Sequence, residues 1–196
     1  AVMARTLNAI STVAISKRVD VVTDDLRETL SVFAAAVRAL LQDKDLAYAD
    51  PAERALVARI RDLLHGKYAG WSIDLEWNRR EDVIKRLRYD LSHDELIGRD
   101  AIVPDLIIHR VGKRENLLVV EVKKSVNKDF DGDIWKLKGM TEQAGEYGYL
   151  AGLHLVIDVK TGIAPRCDVY VDAALDNELT DWMRAELRGQ IDCASC

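Results

Sequence analysis

The sequence predicts an α/β fold in which a mixed sheet lies between helices. Three observations support this prediction. Apolar residues recur at helical spacing after Pro51, hydrophobic and polar residues alternate along 71–77, and two runs rich in branched side chains, 101–110 and 117–124, flank a polar segment that contains Gly112. From 51 onward the predicted order is helix, three strands, helix and strand, an order typical of α/β folds.

The N-terminal part of the chain is predicted to add a helix to this core. Asp25 and Glu28 have the spacing of a capping box, and apolar residues from Leu26 to Leu41 recur on one face, so a helix is expected at 23–41. Residues 1–22 fit a strand and a helix equally well and stay unassigned. The polar segment 42–50 has no period and is predicted to be a linker before a helix at 51–64.

The remaining elements follow from local patterns in the second half of the chain. Segment 78–100 is highly charged, with a short amphipathic section around Val83 and Ile84 that predicts a helical insertion between two strands. A helix is expected at 131–150, strands at 153–158 and 167–171, and a closing helix at 173–188. The predicted organisation is a helical extension at 1–49, a core at 50–172, and a C-terminal helix with a tail at 173–196.

Composition limits the classes of protein that fit this chain. The 196 residues are 48% hydrophobic and 31% charged, which suits one sizeable core. No stretch approaches the ~18 consecutive apolar residues of a membrane span, so a soluble, cytoplasmic protein without a membrane partner is expected. A net charge of −5 argues against coating of nucleic acid by bulk charge but leaves room for a local basic groove. Three cysteines, two of them at the C-terminal end, predict a reduced tail rather than a zinc site.

The candidate functional residues lie on the two middle strands. Residues two apart on a strand share a face, so Glu121 and Lys123 are neighbours just beyond the apolar part of their strand. Asp105 belongs to the first strand of the predicted hairpin. If the hairpin register brings Asp105 opposite Glu121, two carboxylates and an ammonium group meet where a cleft can open.

This combination of groups suits cleavage of phosphodiester bonds. Mg²⁺ prefers hard oxygen ligands and usually takes one or two carboxylates, here from Asp105 and Glu121. The ion lowers the pKa of a bound water and neutralises charge that develops on the phosphate oxygens. Lys123 can orient the attacking water and stabilise the transition state. The alternatives are a surface ion pair at a strand end and a simple turn at Pro104-Asp105.

Two short motifs resemble a known family. The segments Ile102-Val103-Pro104-Asp105 and Glu121-Val122-Lys123 resemble the PD-(D/E)xK nuclease superfamily, and the predicted order of elements over about 51–158 is similar to the common core of that family. Gln143 and Tyr147, four residues apart in the predicted helix, resemble the Gln-x-x-x-Tyr motif of its RecB-like branch. The resemblance implies a restriction-endonuclease-like core, with a central mixed sheet flanked by helices.

The resemblance also implies roles for individual residues. Asp105 and Glu121 would bind Mg²⁺ or Mn²⁺, with the carbonyl of Val122 as a further ligand, and Lys123 would be the catalytic lysine. Members of the family often add a glutamate from the first core helix, and Glu53 is the candidate here. Simple stabilisation of the helix dipole explains an acidic residue at that position equally well. Asp74 and Glu76 are alternative candidates for this carboxylate, and the polar face of a half-buried strand explains them equally well.

Substrate-binding residues are expected in two places. The resemblance implies that Gln143 and Tyr147 contact the substrate or brace the site. Arg79, Arg80 and Arg86 belong to the densest basic stretch, which is accompanied by aromatic residues and can therefore follow a phosphate backbone. The alternative is a solvated helix face, because neighbouring acidic residues offset much of this charge.

Three functions are compatible with these features. The leading hypothesis is a metal-dependent nuclease whose partner is nucleic acid, with DNA as the expected substrate. The second is a catalytically silent domain of the same fold that binds nucleic acid or a protein. The third is an unrelated α/β interaction domain in which the motif is accidental. A homodimer is expected if both strands of a duplex are cut, because one site cleaves one strand.

Overall fold

The computed structural model describes residues 25–76 and 102–189, together with the backbone of 79–80 and 83–84. The helices in these ranges are α1 (25–41), α2 (Lys44–Ala49), α3 (Glu53–Leu64), α4 (Asp131–Thr141) and α5 (Asn177–Leu187). The strands are β1 (Ser72–Leu75), β2 (Arg79–Arg80), β3 (Val83–Ile84), β4 (Leu106–His109), β5 (Asn116–Lys124), β6 (Ala151–Asp158), β7 (Ile163–Val171) and β8 (Ala174–Leu175). None of the described helices is both long enough and apolar enough to cross a membrane.

Six of these strands form one open, mixed sheet in the order β1-β4-β5-β6-β7-β8. Strands β5 and β6 are parallel and are connected through α4, whereas the other neighbouring pairs are antiparallel. Strands β2 and β3 form a separate two-stranded pair. The described chain is therefore α/β with a mixed sheet, as the sequence predicts.

Helices cover both faces of the sheet. On one face, α1, α3 and α5 pack against residues such as Leu106, Val120 and Leu155 in the larger apolar core. On the other face, α4 packs against Ile107 and Val119 in a smaller core. Alternation along β4 and β5 sends successive side chains to opposite faces. This alternation decides which helix meets each charged residue of the motif.

The two predicted N-terminal helices form and join the larger core. α1 buries Leu30 and Phe33 completely, and α3 buries Leu56 and Ile60 completely. These side chains belong to one apolar cluster with the strands and α5. The helical extension and the closing helix therefore share a core with the sheet.

The prediction of a linker at 42–50 is wrong, because residues 44–49 form α2. The side chain of Asp43 accepts hydrogen bonds from the backbone N–H groups of Asp45 and Leu46, which satisfies two donors at the start of the helix. A helix this short shows little apolar periodicity, so its cap is the stronger signal in the sequence.

The helix after the motif is shorter than predicted and ends at Thr141 rather than near 150. Gly145 and Gly148 lie in the following loop, and Gly148 has a φ of 57°, which favours glycine. Gly152 on β6 allows α4 to approach the sheet closely, because a Cβ there would lie 3.0 Å from Cγ2 of Thr141 and 3.1 Å from a methyl carbon of Leu137. The glycines mark a loop and a close helix–sheet contact.

The C-terminal elements differ from the prediction in their limits. β7 begins at Ile163 rather than 167, and the closing helix begins at Asn177 rather than 173. Between them, Asp172 and Ala173 have positive φ angles and turn the chain into β8. Asp176 then caps α5 with its side chain.

The predicted helical insertion at 78–100 is described only in part. The backbone at 79–80 and 83–84 forms β2 and β3, so the helix prediction is wrong at Val83 and Ile84. The prediction for 85–100 lies outside the described residues. The same holds for residues 1–24 and for the C-terminal tail from 190.

Candidate functional site

The hairpin of β4 and β5 brings Asp105 to Glu121. Leu106 pairs with Val120, so the next step of this antiparallel register places Asp105 across from Glu121. Oδ2 of Asp105 accepts a hydrogen bond from the backbone N–H of Val122 at 2.7 Å. This bond holds the carboxylate of Asp105 against β5.

Glu121 and Lys123 lie on the face of β5 that meets α4. They follow Val119 at two-residue intervals, and Val119 packs in the smaller core. The side chain of Glu121 is 1% exposed, and that of Lys123 is 19% exposed. The three residues predicted to be catalytic therefore meet at one end of the sheet, and Glu121 is the deepest of them.

The first two turns of α4 add a third carboxylate and a second lysine to this cluster. Oδ2 of Asp133 lies 3.0 Å from Nζ of Lys123, and Oδ1 of Asp133 lies 3.0 Å from Nζ of Lys136. Nζ of Lys136 also lies 2.8 Å from Oε1 of Glu121. Negative and positive groups thus alternate from Glu121 through Lys136 and Asp133 to Lys123.

Asp133 and Lys136 were not predicted from the sequence as site residues. They are three apart in the helix that follows the motif, a spacing that forms ion pairs within a helix. An acidic residue in the first turn of a helix also interacts favourably with the helix dipole, so the sequence by itself gives no reason to expect Asp133 at a functional site. Only the packing of α4 on β5 brings both side chains to the motif.

Burial raises the pKa of both motif carboxyl groups. For Glu121 the rise is large, the charges of Asp105 and Asp133 add to it, and Lys136 opposes it. Burial also raises the pKa of Asp105, against the opposing effects of the Val122 N–H and the two lysines. Ionised carboxylates that have lost solvent in this way gain from a nearby cation.

The pKa of the third carboxyl group, Asp133 on α4, shifts in the opposite direction. Burial alone would raise the pKa of Asp133, but Lys136 and Lys123 outweigh that effect and the pKa is lowered. For each lysine, burial works to lower the pKa, yet the acidic partners raise it overall. Asp133 and both lysines are therefore charged at neutral pH.

A further polar residue, His154, lies beside Glu121 on the neighbouring strand. Its ring is fully buried, neither ring nitrogen has a hydrogen-bond partner, and Nε2 lies 4.0 Å from Oδ2 of Asp133. The ring of Phe130 meets it edge-on, with centroids 4.9 Å apart. Burial lowers the pKa of His154, and the charge of Arg166 adds to this effect, so the imidazole is neutral.

Glu53 reaches the same end of β5 from the first turn of α3. Its Oε1 accepts a hydrogen bond from the backbone N–H of Lys124 at 2.9 Å, and its charge helps to raise the pKa of Lys123. Only the backbone of Lys124 contacts Glu53 in this way, because the side chain of Lys124 forms an ion pair with Asp50. The position of Glu53 suits an additional carboxylate and also suits the N-terminus of a helix.

Gln143 lies in the loop after α4, so the prediction that it shares a helical face with Tyr147 is wrong. Its side-chain amide donates hydrogen bonds to the backbone carbonyls of Thr141 and Tyr149, each at 3.0 Å. These bonds brace the loop that leads into β6. Substrate binding by Gln143 stays a prediction that these contacts do not support.

Tyr147 lies at the opposite end of β5 from the charged cluster. It is buried in the smaller core, and its backbone carbonyl accepts a hydrogen bond from the side chain of Asn116 at 2.6 Å. Asn116 begins β5, and Glu121 lies about 16 Å further along the strand at the usual rise per residue. Tyr147 is therefore placed to pack the sheet, and its role in substrate binding stays a prediction.

The predicted basic stretch is described only by part of its backbone. Arg79 and Arg80 form β2, and their side chains, like the whole of Arg86, lie outside the described residues. Phosphate binding by these three residues stays a prediction.

Polar side chains on β1 and β4 have structural partners. Nε2 of His109 lies 2.8 Å from Oδ2 of Asp74, and Glu76 pairs with Arg54 at the surface. Asp74 and His109 thus pair with each other, and Glu76 pairs with an arginine of α3.

The oxygen ligands at this site suit a hard divalent ion. Asp105 and Glu121 supply carboxylates, and Oε1 of Glu121 is buried without an aligned hydrogen bond. Within the described parts of the chain, no three or more histidine, cysteine, aspartate or glutamate side chains are grouped as a metal centre. Mg²⁺ usually takes only one or two protein carboxylates, because water and substrate phosphate complete its shell. The two carboxylates therefore fit Mg²⁺ or Mn²⁺, and the Val122 carbonyl stays a predicted further ligand.

Comparison with known proteins gives no family assignment. No protein-family model matches the chain, and no curated protein matches it significantly.

Proposed function

We propose that the protein is a metal-dependent nuclease that hydrolyses phosphodiester bonds in nucleic acid, with DNA as the expected substrate. The observation that carries this proposal is the meeting of Asp105, Glu121 and Lys123 at the end of β5. Among the described elements, the order α3, β1, β4, β5, α4 and β6, with the small β2–β3 pair between β1 and β4, supports a restriction-endonuclease-like core.

Asp105 and Glu121 are the proposed ligands of Mg²⁺ or Mn²⁺. When bound, the ion would supply an activated water and neutralise charge on the phosphate. The Val122 N–H holds the carboxylate of Asp105 in place, and the packing around Glu121 restricts the movement of its carboxylate. Glu53 is the proposed additional carboxylate at the edge of the site.

Lys123 is the proposed catalytic lysine. Its raised pKa keeps the ammonium group charged, and Asp133 holds Nζ at 3.0 Å. A charged group positioned in this way can orient the attacking water and stabilise charge that develops on the phosphate. Asp133 therefore acts as a positioning residue for Lys123.

A catalytically silent domain is the second candidate, and one observation favours it. Lys136 places an ammonium group 2.8 Å from Glu121, so the buried carboxylate has a counter-charge without any bound ion. Such a domain would bind nucleic acid or a protein without cutting. Equal binding of DNA by the unmodified protein and by Asp105→Ala, with no cleavage by either, would favour this candidate.

The proposed function is tested by cleavage of labelled single- and double-stranded DNA and RNA in Mg²⁺, Mn²⁺ or EDTA. Asp105→Ala and Lys123→Ala are expected to lose on the order of 10²- to 10³-fold in rate. The matched controls Asp62→Ala and Lys67→Ala change exposed residues on or just after α3 and should cut at the unmodified rate.

Two results would overturn the proposal. One is cleavage that continues in EDTA, and the other is cleavage that persists in both site variants. Urea unfolding of each variant separates loss of the site from loss of the fold. Equal cutting of both duplex strands by a demonstrated monomer would remove the argument for a homodimer.

A further inference from the structure

Lys136 is the ion-pair partner of the most buried carboxylate in the cluster. Glu121 is 1% exposed, and its Oε1 has no aligned hydrogen bond, so the ammonium group at 2.8 Å is what compensates its charge. An ionised carboxylate at that depth is costly without a partner. The metal-free protein therefore depends on Lys136 to accommodate Glu121.

Lys136 has a second anchor that does not depend on Glu121. Its Nζ lies 3.0 Å from Oδ1 of Asp133, one turn away on the same helix, and its side chain is 22% exposed. A lysine has a flexible stem of four carbons. Lys136 can therefore leave Glu121 toward solvent while it keeps its contact with Asp133.

A divalent ion bound through Oε1 of Glu121 cannot share that oxygen with Lys136 in its present position. Two cations within contact distance of one carboxylate oxygen repel each other strongly in a site with little solvent. Lys123 does not face the same conflict, because Asp133 rather than Glu121 is its partner.

We infer that Lys136 pairs with Glu121 in the metal-free protein and is displaced from it when Mg²⁺ or Mn²⁺ binds. This inference rests on the metal site of the proposed function. Lys136 and the ion compete for Oε1 of Glu121, so Lys136 stabilises the buried carboxylate in the metal-free protein and weakens its affinity for the ion. The displaced ammonium remains at the rim of the site beside Asp133.

Binding of Mn²⁺ to Lys136→Met tests the competition directly. Free Mn²⁺ is measured by electron paramagnetic resonance at the same pH for every protein. The variant is expected to bind Mn²⁺ on the order of tenfold more tightly than the unmodified protein, a usual size for coupling between two ligands of one protein. The control Lys138→Met removes a lysine from the same helix and should bind Mn²⁺ with unchanged affinity.

A second measurement uses the unmodified protein and does not depend on the folding of any variant. Acetylation of Lys136 by acetic anhydride is followed by peptide mass spectrometry with and without Mn²⁺, and Lys138 serves as the internal control. Release from Glu121 should raise the acetylation rate of Lys136 on the order of fivefold, within the range of the same coupling. The rate at Lys138 should not change.

The inference is overturned if Lys136→Met binds Mn²⁺ no more tightly than the unmodified protein, or if Mn²⁺ leaves the reactivity of Lys136 unchanged. Absence of Mn²⁺ binding to any of these proteins also overturns it. Cleavage assays on the same samples separate the two proposals. Cleavage without competition between Lys136 and Mn²⁺ would support the nuclease proposal and overturn the inference about Lys136. Competition without cleavage would support the metal site and overturn the nuclease proposal.

Discussion

The two faces of the sheet differ in chemistry more than in packing. The face covered by α1, α3 and α5 has a core of apolar side chains, and the buried polar groups described beside it, such as the hydroxyls of Tyr68 and Thr180, are uncharged. The face covered by α4 has a smaller apolar core and also carries the buried residues Glu121, His154 and Asp168. A single strand such as β5 serves both faces because its side chains alternate.

This difference indicates how the fold can tolerate buried charge. Folded proteins are only marginally stable, so a cluster of desolvated carboxylates needs compensation elsewhere. The larger core can supply it, because burial of apolar surface is the main favourable contribution to folding. We therefore expect changes on the apolar face to alter stability most, and changes on the α4 face to alter chemistry most.

The largest effect on stability is expected from Leu118→Ala. Leu118 is fully buried on the apolar face of β5, so its truncation should lower the free energy of unfolding by about 3 kcal/mol. Urea unfolding measures this change. The control Leu175→Ala truncates a residue that is 42% exposed on β8 and should cost much less. Equal effects for the two variants would contradict the contribution assigned to burial of Leu118 in the larger core.

A smaller effect on stability is expected from Asp133→Asn on the α4 face. The amide keeps the shape of the side chain but removes the charge that holds Lys123 and Lys136. The free energy of unfolding should fall by about 2 kcal/mol, the scale of a lost charged hydrogen bond. Cleavage per folded molecule should fall by roughly tenfold, because Lys123 loses its position. A variant that is destabilised but cuts at the unmodified rate would contradict the positioning role.

The smallest effect is a pH dependence that belongs to Glu121. Burial raises the pKa of Glu121 well above the ordinary 4.5. Between pH 4.5 and the raised pKa, the folded protein therefore holds a proton that the unfolded chain has lost. The contribution of this group to stability is therefore greatest below pH 4.5 and is lost as the pH rises through the folded pKa. Urea unfolding of the unmodified protein and of Glu121→Gln across this range measures the difference. Parallel pH profiles would show that Glu121 is not buried in this way.

The parts of the fold that sequence could predict are those with a local pattern. The alternation on β5 and the branched residues around it predict the hairpin and the shared face of Glu121 and Lys123, because strand geometry alone fixes that face. The helical period likewise predicts α1 and α3. The meeting of Asp105 with Glu121 also needs the register, which follows from the pairing of Leu106 with Val120.

The parts that sequence could not predict depend on packing between distant segments. Asp133 and Lys136 look like an ordinary helical pair until α4 is placed against β5. The end of α4 at Thr141 depends on a glycine loop and on the close approach to Gly152, neither of which has a helical or strand period. Gln143 lies in this glycine loop, so the helical spacing that predicts a shared face with Tyr147 does not apply to it.

The most direct test of the proposed site is Glu121→Gln, measured for cleavage and for urea unfolding on the same sample. The amide fills the same space but binds a hard cation weakly. We predict that Mg²⁺-dependent cleavage falls on the order of 10³-fold while the protein remains folded. The control Glu115→Gln, at the exposed turn of the hairpin, should cut normally. Cleavage by folded Glu121→Gln at the unmodified rate would contradict the assignment of the active site to the end of β5.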